Sequence, residues 1–157
     1  MIGEQISLFD KKIDNEYEKL IKGSKLNIKT SQLAMDYGIS AIKFNKLLKA
    51  IGFHKRVNNQ WIPCTKYLGY GLVESKTLYY DNMGHICKDE TNSCGMRIVT
   101  NYTPVGRYVI YKLLKNIGVV PEIERNIGYD KSIINDVIRA DKICNINIEN
   151  IVWEFCG

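Results

Sequence analysis

The chain has 157 residues, 45% of them hydrophobic and 25% charged, with a formal net charge of +5. This size and balance suit one globular domain with room for a small second lobe, and they exclude disorder of the chain as a whole. The longest apolar runs, Tyr108 to Tyr111 and Ile117 to Val120, fall far short of the roughly 18 residues that cross a bilayer. Met1 to Asp10 lacks the apolar stretch of about 7 to 15 residues that marks a secretion signal. A cytoplasmic protein with no membrane partner is expected. Five cysteines, Cys64, Cys87, Cys94, Cys144 and Cys156, form an odd set and read as free thiols in a reducing compartment.

The excess charge is local. Residues 22–56 carry eight cations, Lys22, Lys25, Lys29, Lys43, Lys46, Lys49, Lys55 and Arg56, against the single carboxylate of Asp36. The rest of the chain is weakly charged or acidic. One basic segment in a near-neutral chain is the distribution of a polyanion-binding face, set against the plainer reading of a solvated lysine-rich surface.

In chain order, residues 1–29 read as a lead-in with a short amphipathic helix from Ile13 through Tyr17, Leu20 and Ile21, closed by Gly23. Residues 30–51 hold the sharpest signal. Leu33, Tyr37, Ile39, Phe44 and Leu47 fall at the apolar positions of a helix-turn-helix, with Ala34 where the crossing helices require a small side chain. Gly38 opens the turn in a left-handed conformation. Thr30 or Ser31 is expected to cap the first helix and Ser40 the second. Phe44, Leu47, Leu48 and Ile51 give the second helix a core face, leaving Lys43, Asn45, Lys46 and Lys49 on its other side.

Phe53 to Val57, the pair Asn58-Asn59 and Gln60 to Ile62 read as a basic β-hairpin around a tight turn. A hairpin directly after the second helix is the place of a wing. Strands follow at Val73 to Tyr80 and Arg97 to Tyr102, with a long loop over 81–95. Thr103-Pro104 starts a helix as N-cap and first-turn proline; Val105, Tyr108, Val109 and Leu113 form its core face and Gly118 ends it. Two amphipathic segments close the chain, one marked by Ile133, Ile134, Val137 and Ile138 and one by Ile148, Ile151, Val152 and Phe155, with Trp153 beside the second. They either complete the core or form the seam of a homodimer. The fold class expected is α+β: a winged helix-turn-helix core with a second β-hairpin and additional C-terminal helices.

Ser31-Gln32-Leu33-Ala34, Tyr37-Gly38, Asn45-Lys46-Leu47-Leu48, Gly52, Gln60-Trp61 and Lys66-Tyr67, continuing through Lys76 to Thr103, Gly106-Arg107, Tyr111 and Leu113-Leu114, resemble the C-terminal KilAC domain of phage antirepressors. The resemblance spans residues 30–118, between a lead-in of 1–29 and a helical extension of 119–157. It implies a phage or prophage product acting in the cytoplasm of the bacterial host, as a DNA-binding regulator or an antagonist of repressors.

For contact with double-stranded DNA, the geometry of the motif selects Ser40, Ala41, Lys43, Asn45 and Lys46 on the second helix. Lys55 and Arg56 on the wing, with Lys29 and Lys49 at helix ends, add phosphate contacts. Asparagine pairs with adenine in the major groove, whereas lysine serves mainly as a point charge. Ile42, in the same stretch, is suited to thymine methyls or to a protein partner. The alternative is a phage-encoded inhibitor that binds a host protein through the same face or through the C-terminal helices. Its target would be a repressor or a nucleic-acid-directed defence complex such as a CRISPR effector. His85, Cys87 and Cys94 are weak metal candidates, three where structural zinc takes four ligands, and no cofactor is expected. With two histidines, His54 and His85, and neither a phosphate-cradling loop nor a nucleophile elbow, an enzyme is not expected.

Overall fold

A computed structural model describes residues 16–141 and 143–157. Helix α1 runs through residues 16–23 and buries Tyr17 and Ile21, one turn apart. The expected start of this helix at Ile13 lies outside the described residues. The short strand β1 (Ile28–Lys29) leads directly into α2 (Thr30–Asp36), and α3 (Ala41–Ala50) follows after a tight turn. Gly38 takes φ +67° there. The pair is held by Leu33, Ala34, Tyr37, Phe44, Leu47 and Leu48, all fully buried. Ser40 caps α3 as expected, its hydroxyl accepting the Lys43 N–H at 3.2 Å.

The cap of α2 differs from expectation. Lys29, not Thr30 or Ser31, is the N-cap residue, and its N–H donates to the Gln32 side chain at 2.9 Å. The reason is tertiary. Ile28 and Lys29 pair with Tyr102 and Asn101, so sheet pairing supplies the extended cap backbone one residue early.

The first hairpin, β2 (His54–Val57) and β3 (Gln60–Pro63), turns through Asn58 and Asn59 at φ 50° and 62°, the positive values of a type I′ turn. A second sheet has the order β1-β6-β4-β5, all antiparallel. Strand β4 is Val73–Tyr80, β5 is Ile86–Cys87 and β6 is Gly95–Tyr102. The expected loop over 81–95 therefore contains a short strand. Asp81 organises it by accepting the N–H groups of Met83 and His85 at 2.9 and 2.8 Å.

Helix α4 (Pro104–Asn116) is the central element. Thr103 caps it at the Gly106 N–H, 3.1 Å away, and Thr103 also donates to the carbonyl of Leu72 at 3.0 Å. A Cβ at Gly106 would lie 1.9 Å from that same carbonyl oxygen. Backbone therefore packs on backbone here. Tyr108 to Tyr111, Leu113 and Leu114 are all buried, so α4 is enclosed on most of its circumference and not on one face as expected. Gly118, at φ +88°, ends the turn after it.

Helices α5 (Ser132–Ala140) and α6 (Ile148–Cys156) pack on α3 and α4 respectively. Ile134, Val137, Ile148 and Ile151 join the same buried cluster as Phe44 and Leu113. Of the two readings of the tail, its apolar stripes complete the core. Each such aliphatic side chain contributes about 2 kcal/mol of burial. No helix among the described residues is long and apolar enough to cross a membrane.

Candidate functional site

The ion pairs of the protein are unevenly placed. Among the described residues, none of the eight cations of residues 22–56 pairs with a carboxylate; the pairs are made by His85, Arg107, Lys112, Lys115, Arg125 and Arg139. Asp36, the single acid of the segment, is turned away from it. Its Oδ2 accepts from the Tyr17 hydroxyl at 2.9 Å and from Arg107 at 3.3 Å. The nearest carboxylate in sequence is thus already neutralised from α4, and the basic face keeps its whole charge.

On α3, Ile42, Lys46 and Lys49 are exposed, with Lys43 and Asn45 half-buried beside them and Ala41 at the first turn. Spacings of three and four residues put Ile42, Lys46 and Lys49 on one stripe. No acid occupies the first turn of α3, although the positive end of a helix favours one. Lys55 and Arg56 are exposed on β2.

Strand β2 is joined to α3 without slack. The Phe53 N–H donates to the Leu48 carbonyl at 2.9 Å, and Nε2 of His54 meets the Asn45 carbonyl at 2.9 Å. A carbonyl accepts, so Nε2 carries the proton. His54 is buried, and burial lowers its pKa to about 4, the hydrogen bond to Asn45 offsetting this in part. Its ring stacks on Trp61 at 4.4 Å and 22°, and the Arg56 guanidinium lies 5.3 Å from the same indole.

The structure therefore places Ser40, Ala41, Lys43, Asn45, Lys46 and Lys49 on or at the cap of one helix, with Lys55 and Arg56 on the strand it holds. Lys29 stands apart, paired with Asn101 in the larger sheet. Sequence reasoning passed over His54 and Trp61. The signal was there: residues 54, 56 and, across the turn, 61 share one face of a hairpin closed by Asn58-Asn59. It also missed Arg125, whose guanidinium donates to the Tyr37 carbonyl at 2.8 Å and braces the α2–α3 turn from the tail.

The metal candidates are not gathered. Among the described residues no three His, Cys, Asp or Glu side chains converge on one point. His85 leans toward Asp81 at 3.7 Å, and the Cys87 thiol points to the His85 carbonyl at 3.9 Å. The Cys94 N–H, just ahead of β6, donates to the Tyr80 carbonyl at 2.7 Å.

A search of the curated proteins found no significant match, and a search of the solved structures found none either. A family model for the phage antirepressor protein KilAC domain matches residues 5–116, beginning well ahead of the resemblance at residue 30 and ending at the last residue of α4. With well over half its length matched, the chain belongs to the phage antirepressor KilAC domain family, a regulatory and not an enzymatic one.

Proposed function

We propose that this phage antirepressor-type regulator binds double-stranded DNA through a winged helix-turn-helix formed by α2, α3 and the β2–β3 hairpin. Helix α3 enters the major groove with Lys43, Asn45 and Lys46, and Lys55 and Arg56 follow the neighbouring phosphates. Lys49 and Lys29 add charge at the helix ends, and the acid-free N-terminus of α3, with Ser40 and Ala41, adds its dipole. The observation that carries the reading is the set of eight cations without an ion pair among the described residues, while Arg107, Lys112, Lys115, Arg125 and Arg139 are paired. The set is rich in point charge and poor in bidentate donors, so it holds backbone more than it reads sequence.

The test is duplex binding by fluorescence anisotropy across a salt series. Affinity is expected to fall steeply with salt, the logarithmic slope reaching about −4 to −5 for five phosphate contacts at roughly 0.9 each. The combined variant Lys43→Ala, Asn45→Ala, Lys46→Ala should lose that binding while keeping its circular dichroism spectrum. Unchanged binding in the variant overturns the assignment.

A second reading rests on exposed apolar groups. Ile42 is 72% exposed in the middle of the basic face, and Trp153 on α6 is 75% exposed. In this reading the protein inhibits a host or phage protein through that face or through α6, with a nucleic-acid-directed defence complex as one target class. A pull-down from host extract separates the two. Capture that survives nuclease and is lost in Ile42→Asp or Trp153→Ala favours the protein partner.

A further inference from the structure

Between the outer edge of β3 and the β4–β6 hairpin lies a cleft of about 430 Å³, lined on one side by Asn59, Gln60 and Trp61 and on the other by Arg97, Ile98 and Thr100. None of the residues lining it carries a carboxylate, and Arg97 contributes its one formal charge. The volume falls in the range of small-ligand sites. Trp61 is its aromatic wall. The indole is backed from β2 by the His54 ring and the Arg56 guanidinium, and Trp61 also lines the cleft.

The hairpin register adds hydrogen-bonding groups. Val57 and Gln60 flank a two-residue turn and form a bonded pair, so the next pair, Arg56 and Trp61, is a non-bonded one. The main-chain N–H and C=O of Trp61 therefore point away from β2, to the cleft side, beside the amides of Asn59 and Gln60. At Pro63, the next outward position, there is no N–H. An added peptide strand would find too few partners on this edge to be held by β-augmentation.

We propose that this cleft takes one unpaired nucleotide of the bound nucleic acid, its base against Trp61 and its phosphate at Arg97. The inference rests on the DNA-binding reading and deepens it. A base inside a duplex has both faces covered by its neighbours and presents edges only. An indole wall flanked by amides rewards a base whose face is free. Charge agrees: neither Arg56 nor Arg97 is held by a carboxylate among the described residues, their recorded partners being the rings of Trp61 and Tyr80. Position agrees too, since the hairpin of β2 and β3 that carries Trp61 follows directly from α3.

The test uses Trp153→Phe, which leaves Trp61 as the sole indole, and follows its fluorescence. The probes are a paired duplex, the same duplex with a one-nucleotide bulge, the same bulge made abasic, and a single-stranded oligothymidylate. The bulged duplex is expected to quench Trp61 and to bind about 10-fold more tightly than the paired one, within the range of base–aromatic stacking. The abasic bulge should do neither. Trp61→Ala should abolish the preference, and Arg97→Gln, an exposed change that does not threaten the fold, should weaken it while paired-duplex affinity stays unchanged. Equal affinity for paired, bulged and abasic probes overturns the cleft assignment and leaves the DNA-binding reading intact. Quenching by the oligothymidylate without any duplex binding supports the cleft and overturns the duplex reading. Loss of paired-duplex binding in Arg97→Gln to the same degree as bulged binding overturns the cleft as a separate site.

Discussion

Two regions of this molecule handle charge in opposite ways. Where the segment after α4 returns to the helix pair, charge is packed and paired. Glu124 is buried, hydrogen-bonded by the Tyr111 hydroxyl and 3.7 Å from Lys115, while Arg125 donates to the carbonyls of Val120 and Tyr37. Across α3 and the β2–β3 hairpin, Lys46, Lys49, Lys55 and Arg56 stand exposed with no paired carboxylate among the described residues. The same chain thus pairs charge where pairing stabilises the fold. Even Asp36, which belongs by sequence to the basic segment, is drawn away to Arg107 and Tyr17. The unpaired face is the one proposed above to meet DNA.

Removing charge from each region should separate stability from binding, and the buried side gives the larger effect on folding. Glu124→Ala leaves Lys115 and the Tyr111 hydroxyl without their buried acceptor, and a loss of about 3 kcal/mol is expected, measurable by urea unfolding. A loss below about 0.5 kcal/mol would break the contrast.

His54 joins the two regions, because it ties the basic hairpin to α3 from within the core. Its pKa is about 4 in the folded protein and 6.5 when unperturbed. The proton thus binds the unfolded chain first as pH falls. The stabilisation from a neutral His54 is complete above about pH 6.5, declines between 6.5 and 4 and is absent below 4. Its size is roughly 3 kcal/mol. Unfolding free energy measured from pH 7 to 4 should fall by that amount more in the wild type than in His54→Gln.

Gly38→Ala probes the turn between α2 and α3. It places a Cβ at φ +67° against the Glu122 carboxylate, for an expected loss of about 1 kcal/mol, read as a lowered thermal midpoint. At the small end, Lys46→Ala with Lys49→Ala should change stability by less than about 0.5 kcal/mol while weakening duplex binding and flattening its salt slope by about 2. A stability loss comparable to that of Glu124→Ala would show that these lysines serve the fold.

Much of the fold was legible because its signals are local. The Leu33-to-Leu47 spacing with Gly38 and Ser40, the Asn58-Asn59 turn and the Thr103-Pro104 cap each act over a few residues. All stand where expected. Strands β1 and β5 were not legible, since two residues carry no period. The enclosure of α4 was missed for a related reason: a helix core-facing on several sides shows no single stripe.

The candidate face divides in the same way. Which side chains lie on α3 and which on the hairpin follows from periods of 3.6 and 2, so Lys43, Asn45, Lys46, Lys55 and Arg56 were placed by sequence alone. Tertiary structure decided that Asp36 is neutralised by a residue 71 positions away, that Arg125 braces the turn, and that Trp61 is backed by His54 and opens on a cleft against β6. Hydrophobic periodicity orients an element relative to the core, whereas the pairing of charges depends on which surfaces the remote chain has already covered.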